Sequence, residues 1–82
     1  MWYLYILYSS QWDRYYVGST NDIKRRITEH NNRHTPSTRG GVPWELVYQE
    51  TYETKGLARG REKEIKSKKS RKYIEYLISS AR

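Results

Sequence analysis

Glu62 is the residue of this 82-residue chain that first invites a chemical reading. Residues 55–72 hold nine cations (Lys55, Arg59, Arg61, Lys63, Lys66, Lys68, Lys69, Arg71 and Lys72) and two acids, Glu62 and Glu64. On a helix that turns Leu57, Ala58 and Ile65 inward, Glu62 falls on the flank of the stripe, with Lys66 one turn further on. A carboxylate so placed either pairs with Lys66 on a solvated face or holds a divalent cation beside bound phosphate. Mg²⁺ takes oxygen ligands and commonly uses one or two carboxylates. Upstream, a helix beginning near residue 22 would put Ile23, Ile27 and His30 on one face. Arg26 leans toward that face, whereas Arg25 lies roughly 200° from Ile23. A guanidinium held against an apolar sheet needs a carboxylate or phosphate acceptor, unless its stem merely covers the sheet edge. His30 is either a satisfied semi-buried imidazole or part of the same site.

Tyr5 and Tyr16 belong to two short runs that read as paired strands. A register setting Tyr5 directly beside Tyr16 puts both phenols on one face, and so does any register with an odd sum of partner numbers. Each ring serves equally well as core. Gly18, followed by Ser19 and Thr20 just before a helix start, offers bare amides and hydroxyls to an anion, or simply meets a turn requirement.

The elements that must position these groups follow from the patterning. WYLYILY (2–8) reads as a strand apolar on both faces, and RYYVGS (14–19) as its hairpin partner. Residues 22–32 read as a helix with Asn21 as N-cap, and 33–42, rich in Gly, Pro and hydroxyls, as an exposed loop. WELVYQETY (44–52) alternates as a third strand, with Pro43 at its mouth. A basic helix spans 55–69, weakened by Gly60, and Ser70 restarts a short helix with Tyr73, Ile74, Leu77 and Ile78 as its apolar stripe. The order ββαβαα is an α+β fold, a small three-stranded antiparallel sheet flanked by helices, in one domain over 1–82.

Net charge is +7, and residues 55–72 account for all of it, the remainder being balanced. So local an excess is the footprint of a polyanion binder. Without cysteine there is no disulfide or thiolate–metal staple, and a cytoplasmic location is expected. The longest apolar run, Met1 to Tyr8, is under half of the ~20 residues that span a bilayer, and no basic segment precedes it as in a secretory signal.

Tyr3-Leu4-Tyr5, then Tyr16-Val17-Gly18, then Arg26, His30 and Asn31, then Ala58, Glu62 and Ile65-Lys66, resemble in order and spacing the GIY-YIG nuclease superfamily. The stretch Thr38 to Tyr48 resembles its small stand-alone bacterial branch. The resemblance implies metal-dependent hydrolysis of nucleic-acid phosphodiesters, DNA above all, with Mg²⁺ or Mn²⁺ on Glu62. It implies that Tyr5 or Tyr16 orients or deprotonates the attacking water, that Arg26 neutralises the scissile phosphate and that His30 serves beside it. Arg26 close to the phenols would lower their pKa. Gly18, Ser19, Arg39, Lys66, Lys68 and Lys69 are the expected nucleic-acid contacts. A monomer is expected, with a protein partner for targeting and no membrane. A non-catalytic nucleic-acid-binding module with the same fold and a basic protein-interaction adaptor are the alternatives. The sequence departs from the family name at Tyr3, where glycine is usual, and Gly60 interrupts the helix that carries Glu62.

Overall fold

Strand β1 (Trp2–Ser9) has no polar face, and a strand can bury both faces only in the middle of a sheet with helices on either side. In the computed structural model, which describes residues 1–81, it occupies that place. It pairs antiparallel with β2 (Arg14–Thr20) and β3 (Trp44–Tyr52) in the order β2-β1-β3, and Leu4, Tyr5, Ile6 and Leu7 are all fully buried. Helix α1 (Ile23–Asn31) covers one face, packing Ile23 and Ile27 on Tyr5, Leu7 and Trp44. Helices α2 (Lys55–Lys68) and α3 (Arg71–Ser80) cover the other, with Ile65 and Leu77 against Leu4, Ile6 and Val17. The order is ββαβαα, as the patterning predicts. Arg82, the last position of the expected domain, lies outside the described residues.

Local details differ from the sequence reading in four places. The hairpin register pairs Tyr5 with Gly18 and Tyr16 with Leu7, so the two phenols sit diagonally rather than directly opposite. Their numbers still satisfy the odd-sum rule, and both rings face α1. Helix α1 is capped by Asp22, whose carboxylate accepts from the Arg25 amide at 3.0 Å, and not by Asn21. The Thr20 hydroxyl accepts from the Asp22 amide at 3.1 Å and fixes that turn. Leu57 is exposed, not inward, because α2 leans on the sheet through Ala58 and Ile65 alone in its buried set. Within the predicted 33–42 loop, Arg39–Gly41 forms a single 3₁₀ turn.

A β-bulge adds what alternation cannot show. The β1–β3 register slips between Ile6 and Leu7, leaving Val47 as the extra residue. Trp44 and Leu46 therefore face α1, whereas Tyr48 and Tyr52 face α2 and α3. The flip delivers Glu50 to Arg61 at 2.9 Å, and Tyr48 and Tyr52 donate to the same carboxylate. Burial works against that charge, but Arg61 and the two phenols outweigh it and hold the carboxyl below its ordinary range.

Gly60 does not break α2, which runs unbroken from its Thr54 cap to Lys68. A Cβ at Gly60 would meet nothing within 4 Å. Gly60→Ala is therefore expected to raise stability by about 1 kcal/mol through helix propensity, read as a higher urea midpoint at unchanged m-value. An unchanged or lower midpoint would mean the position is already constrained.

Candidate active site

Strand β2 forms one edge of the sheet, and its glycine opens that edge. A Cβ on Gly18 would lie 2.5 Å from the Tyr5 hydroxyl oxygen and 3.1 Å from a Tyr16 ring carbon. Only a residue without a side chain lets the Tyr5 ring lie under the edge strand. Its ring centroid is 6.3 Å from that of Tyr16. Gly18→Ala should displace Tyr5 from this seat, with a loss of about 1–3 kcal/mol in stability and a disturbed near-ultraviolet tyrosine signal. Wild-type stability in that variant would show that the edge strand yields instead.

Behind the phenols lies His30, with no accessible surface. Its Nδ1 is 2.8 Å from the Thr38 hydroxyl, which itself donates to the Thr35 carbonyl at 3.3 Å. The Thr38 oxygen must therefore accept the Nδ1 proton, leaving the Nε2 lone pair free. Nε2 stands 3.3 Å from the Tyr5 hydroxyl, which donates to it, and 3.5 Å from Arg26. Burial first and the Arg26 charge second push the imidazole down to about 4, so it is neutral at physiological pH. Asn31 fixes the neighbourhood by bonding both the amide and the carbonyl of Trp44, at 2.6 and 3.0 Å.

In front of the phenols a cavity of about 340 Å³ opens at the sheet edge. Tyr5, Tyr16 and Arg26 enter it from the α1 side, and Glu62 reaches it from α2. Arg26 is anchored to Glu29 at 2.8 Å. Burial opposes its charge, but Glu29 and the Tyr5 phenol prevail and raise its pKa above the ordinary value. Glu62 accepts from the Ser19 hydroxyl at 2.6 Å and from Lys66 at 2.7 Å. Among the described residues it is the one acid lining the cavity, against Arg26, Lys55 and Arg59. The expectation that Arg26 lowers a phenol's pKa needs correction at Tyr5. Burial pushes that hydroxyl above its ordinary value, and Arg26 opposes the shift without reversing it.

The fold thus brings Tyr5, Tyr16, Arg26 and Glu62 to one cavity, with Gly18 and Ser19 in its wall and His30 behind it. Ser19 spends its hydroxyl on Glu62, and the α1 N-terminus is occupied by its own Asp22 cap, so the sequence argument for an anion seat there loses its free amide. Lys66 arrives as the partner of Glu62 and lies over the Tyr16 ring at 5.9 Å. Lys68 turns to the Tyr73 ring, Lys69 lines a neighbouring cavity, and Arg39 sits on the 3₁₀ turn, exposed. Sequence reasoning missed Trp2, whose ring lies 5.4 Å from Lys55, and Arg59 and Lys55 themselves as cavity cations. It also missed Thr38, which sets the tautomer of His30. Only the general cationic excess of 55–72 pointed toward the first group.

The ββαβαα frame carries, at the edge of its sheet, a cavity lined by two phenols, three cations and, among the described residues, one carboxylate. The GIY-YIG catalytic domain family model matches residues 1–74, and the chain belongs to that nuclease family. Its relatives are small single-domain members. A UPF0213 protein of Clostridium perfringens is 43% identical over 79 residues, covering 95% of this chain and 83% of that protein. Another from Haloquadratum walsbyi is 42% identical over 66 residues, 79% of this chain and 73% of that one. The solution structure of a UPF0213 protein from Bacillus halodurans superposes with a TM-score of 0.60 at 36% identity, covering 96% of this chain and 84% of the other.

Proposed function

We propose that this protein is a divalent-metal-dependent endonuclease that hydrolyses phosphodiester bonds, with DNA as substrate. The observation that carries the reading is the meeting of Glu62, Arg26, Tyr5 and Tyr16, from four separate elements, in one cavity whose other charged groups are the cations Lys55 and Arg59. A pure binding surface gains nothing from a carboxylate set among cations.

The donor set suits Mg²⁺ or Mn²⁺ rather than a closed metal cage. Among the described residues no three His, Cys, Asp or Glu side chains cluster, and Glu62 is a single carboxylate facing a cavity. Magnesium sites commonly use one or two carboxylates and complete their shell with water and substrate phosphate. A metal ion on Glu62 would supply Lewis-acid stabilisation of charge developing on the phosphate. Ser19 holds the carboxylate in place while Lys66 is displaced from it or moves to a phosphate oxygen. Arg26, kept charged by Glu29, is aimed at the same charge. Tyr5 is the phenol equipped to move a proton. Its hydroxyl already donates to His30 Nε2, so its oxygen can accept a proton from water while its own passes to the imidazole. Burial, and after it the Arg26 charge, hold His30 neutral in the free protein, and an anion bound on Arg26 weakens the second of these. Tyr16, half-buried and nearer the opening, orients the water.

Labelled duplex, single-stranded, flap and junction DNA, each incubated with and without Mg²⁺ or Mn²⁺, test the reading directly. Metal-dependent cutting of at least one substrate is the expected outcome. Binding without cleavage under every condition would leave a nucleic-acid-binding module of the same fold. In either case, contact with about four to six phosphates gives a slope of log K against log salt of roughly −4 to −5 on duplex. Salt-independent binding, or none at low salt, would remove both readings together and favour the protein adaptor.

A further inference from the structure

A second, larger cavity of about 440 Å³ lies along the outer side of β2, between that strand and the junction of α2 with α3. Tyr16 lines both this cavity and the one that holds Glu62, so the two are adjoining. Its floor is apolar, built by Val17, Ile65 and Ile74, and its rim carries Arg14, Lys66, Lys69 and Arg71 against Asp13. Lys69 stands on the rim with a left-handed backbone (φ 48°) and, among the described residues, no carboxylate partner. The Arg71 guanidinium lies over the Tyr15 ring, 5.1 Å from its centroid, with ion pairs to Asp13 at 2.7 Å and Glu75 at 3.2 Å.

We infer that this cavity takes one unpaired nucleotide next to the cleaved bond, its base on the apolar floor and Arg71, its phosphate at Lys69. The inference rests on the nuclease reading and names the substrate form it prefers. A phosphate alone matches the rim and has no use for the floor. A paired base offers its edges to a groove and keeps its faces stacked in the helix. An unpaired nucleotide presents an apolar face and an anion together, and proteins seat such bases on aromatic rings and guanidinium planes. The volume falls within the ~300–1,000 Å³ usual for small-ligand sites. Charge complementarity selects an anion, and the apolar floor selects this occupant over an acidic peptide, whose side chains would leave it uncovered.

The test needs no cleavage. Isotope-labelled full-length protein in EDTA is titrated with adenosine 5′-monophosphate, with ribose 5-phosphate as the control that lacks a base, and with an acidic hexapeptide. Expected are amide shifts at Val17, Ile65, Lys69 and Ile74 with the nucleotide, and at least fivefold weaker binding of the sugar phosphate. Lys69→Gly removes the cation at a position whose φ suits glycine, so the fold is retained. It should weaken the nucleotide about three- to tenfold and leave the melting temperature equal or higher. Equal response to nucleotide and sugar phosphate, shifts confined to other surfaces, or stronger binding of the peptide would each overturn the assignment. A protein that cuts DNA yet gives no shifts here refutes the pocket alone. One that binds nucleotide here yet never cuts refutes the nuclease reading.

Discussion

Glu62→Gln is expected to fold as the wild type does and to cleave nucleic acid at least about 10³-fold more slowly, the loss typical when the main electrostatic element of such a site is removed. The substitution keeps side-chain size and helix propensity, and the Ser19 hydroxyl can still donate to the amide oxygen. What disappears is the anion that Lys66 and Ser19 now hold at 2.7 and 2.6 Å. Nucleic-acid affinity without metal should be unchanged or higher, because one negative charge leaves a cavity meant for phosphate. Metal and substrate should bind the wild type with positive coupling, and Glu62→Gln should abolish it. Glu64→Gln is the control: Glu64 pairs with Arg61 at 2.8 Å, is exposed and is absent from the cavity, so cutting should proceed normally. Wild-type turnover by Glu62→Gln would remove the metal-dependent mechanism at its centre.

Arg26→Ala is expected to lower the cleavage rate by about 10²–10³ while weakening binding only a few-fold. One phosphate contact among several is a small part of affinity, whereas a guanidinium aimed at developing charge acts mainly in the transition state. The adjacent Arg25 supplies the comparison. Its side chain is 56% exposed against 28% for Arg26, and it bonds Asn21 on the outer side of α1. Arg25→Ala should lower binding slightly and the single-turnover rate hardly at all. Burial holds the His30 pKa down, and the Arg26 charge adds to it; losing Arg26 removes that second cause, so the imidazole's pKa should rise in the variant, read by NMR titration. A His30 pKa that does not move would mean that Arg26 does not stand beside Nε2. Equal rate losses in the two variants would mean the site faces the other side of the helix.

Much of this was legible in the chain because it depends on local periodicity. Strand β1 is legible as a strand apolar on both faces, and the third strand and both C-terminal helices fall close to their observed limits for the same reason of local periodicity. The odd-sum rule placed both phenols on one face, since face identity needs only strand parity and not the actual register. The helical wheel separated Arg26 from Arg25. The order of residues concentrates the positive charge in one segment, the feature from which a polyanion partner was expected.

Other features were decided by contacts between distant segments, and no window of sequence contains them. The pairing of Tyr5 with Gly18 depends on the length and cap of the hairpin turn, and it explains the glycine through a ring thirteen positions away. The bulge at Val47 reverses which face Glu50 meets, because one extra residue flips the pleat beyond it. The tautomer of His30 is set by Thr38, and the burial that raises the Tyr5 pKa is a property of the packed layers. Residue types and spacing determined which side chains could do the chemistry. The tertiary structure decided their protonation and their meeting, since both depend on burial and on charges brought close only when the sheet edge, α1 and α2 are assembled.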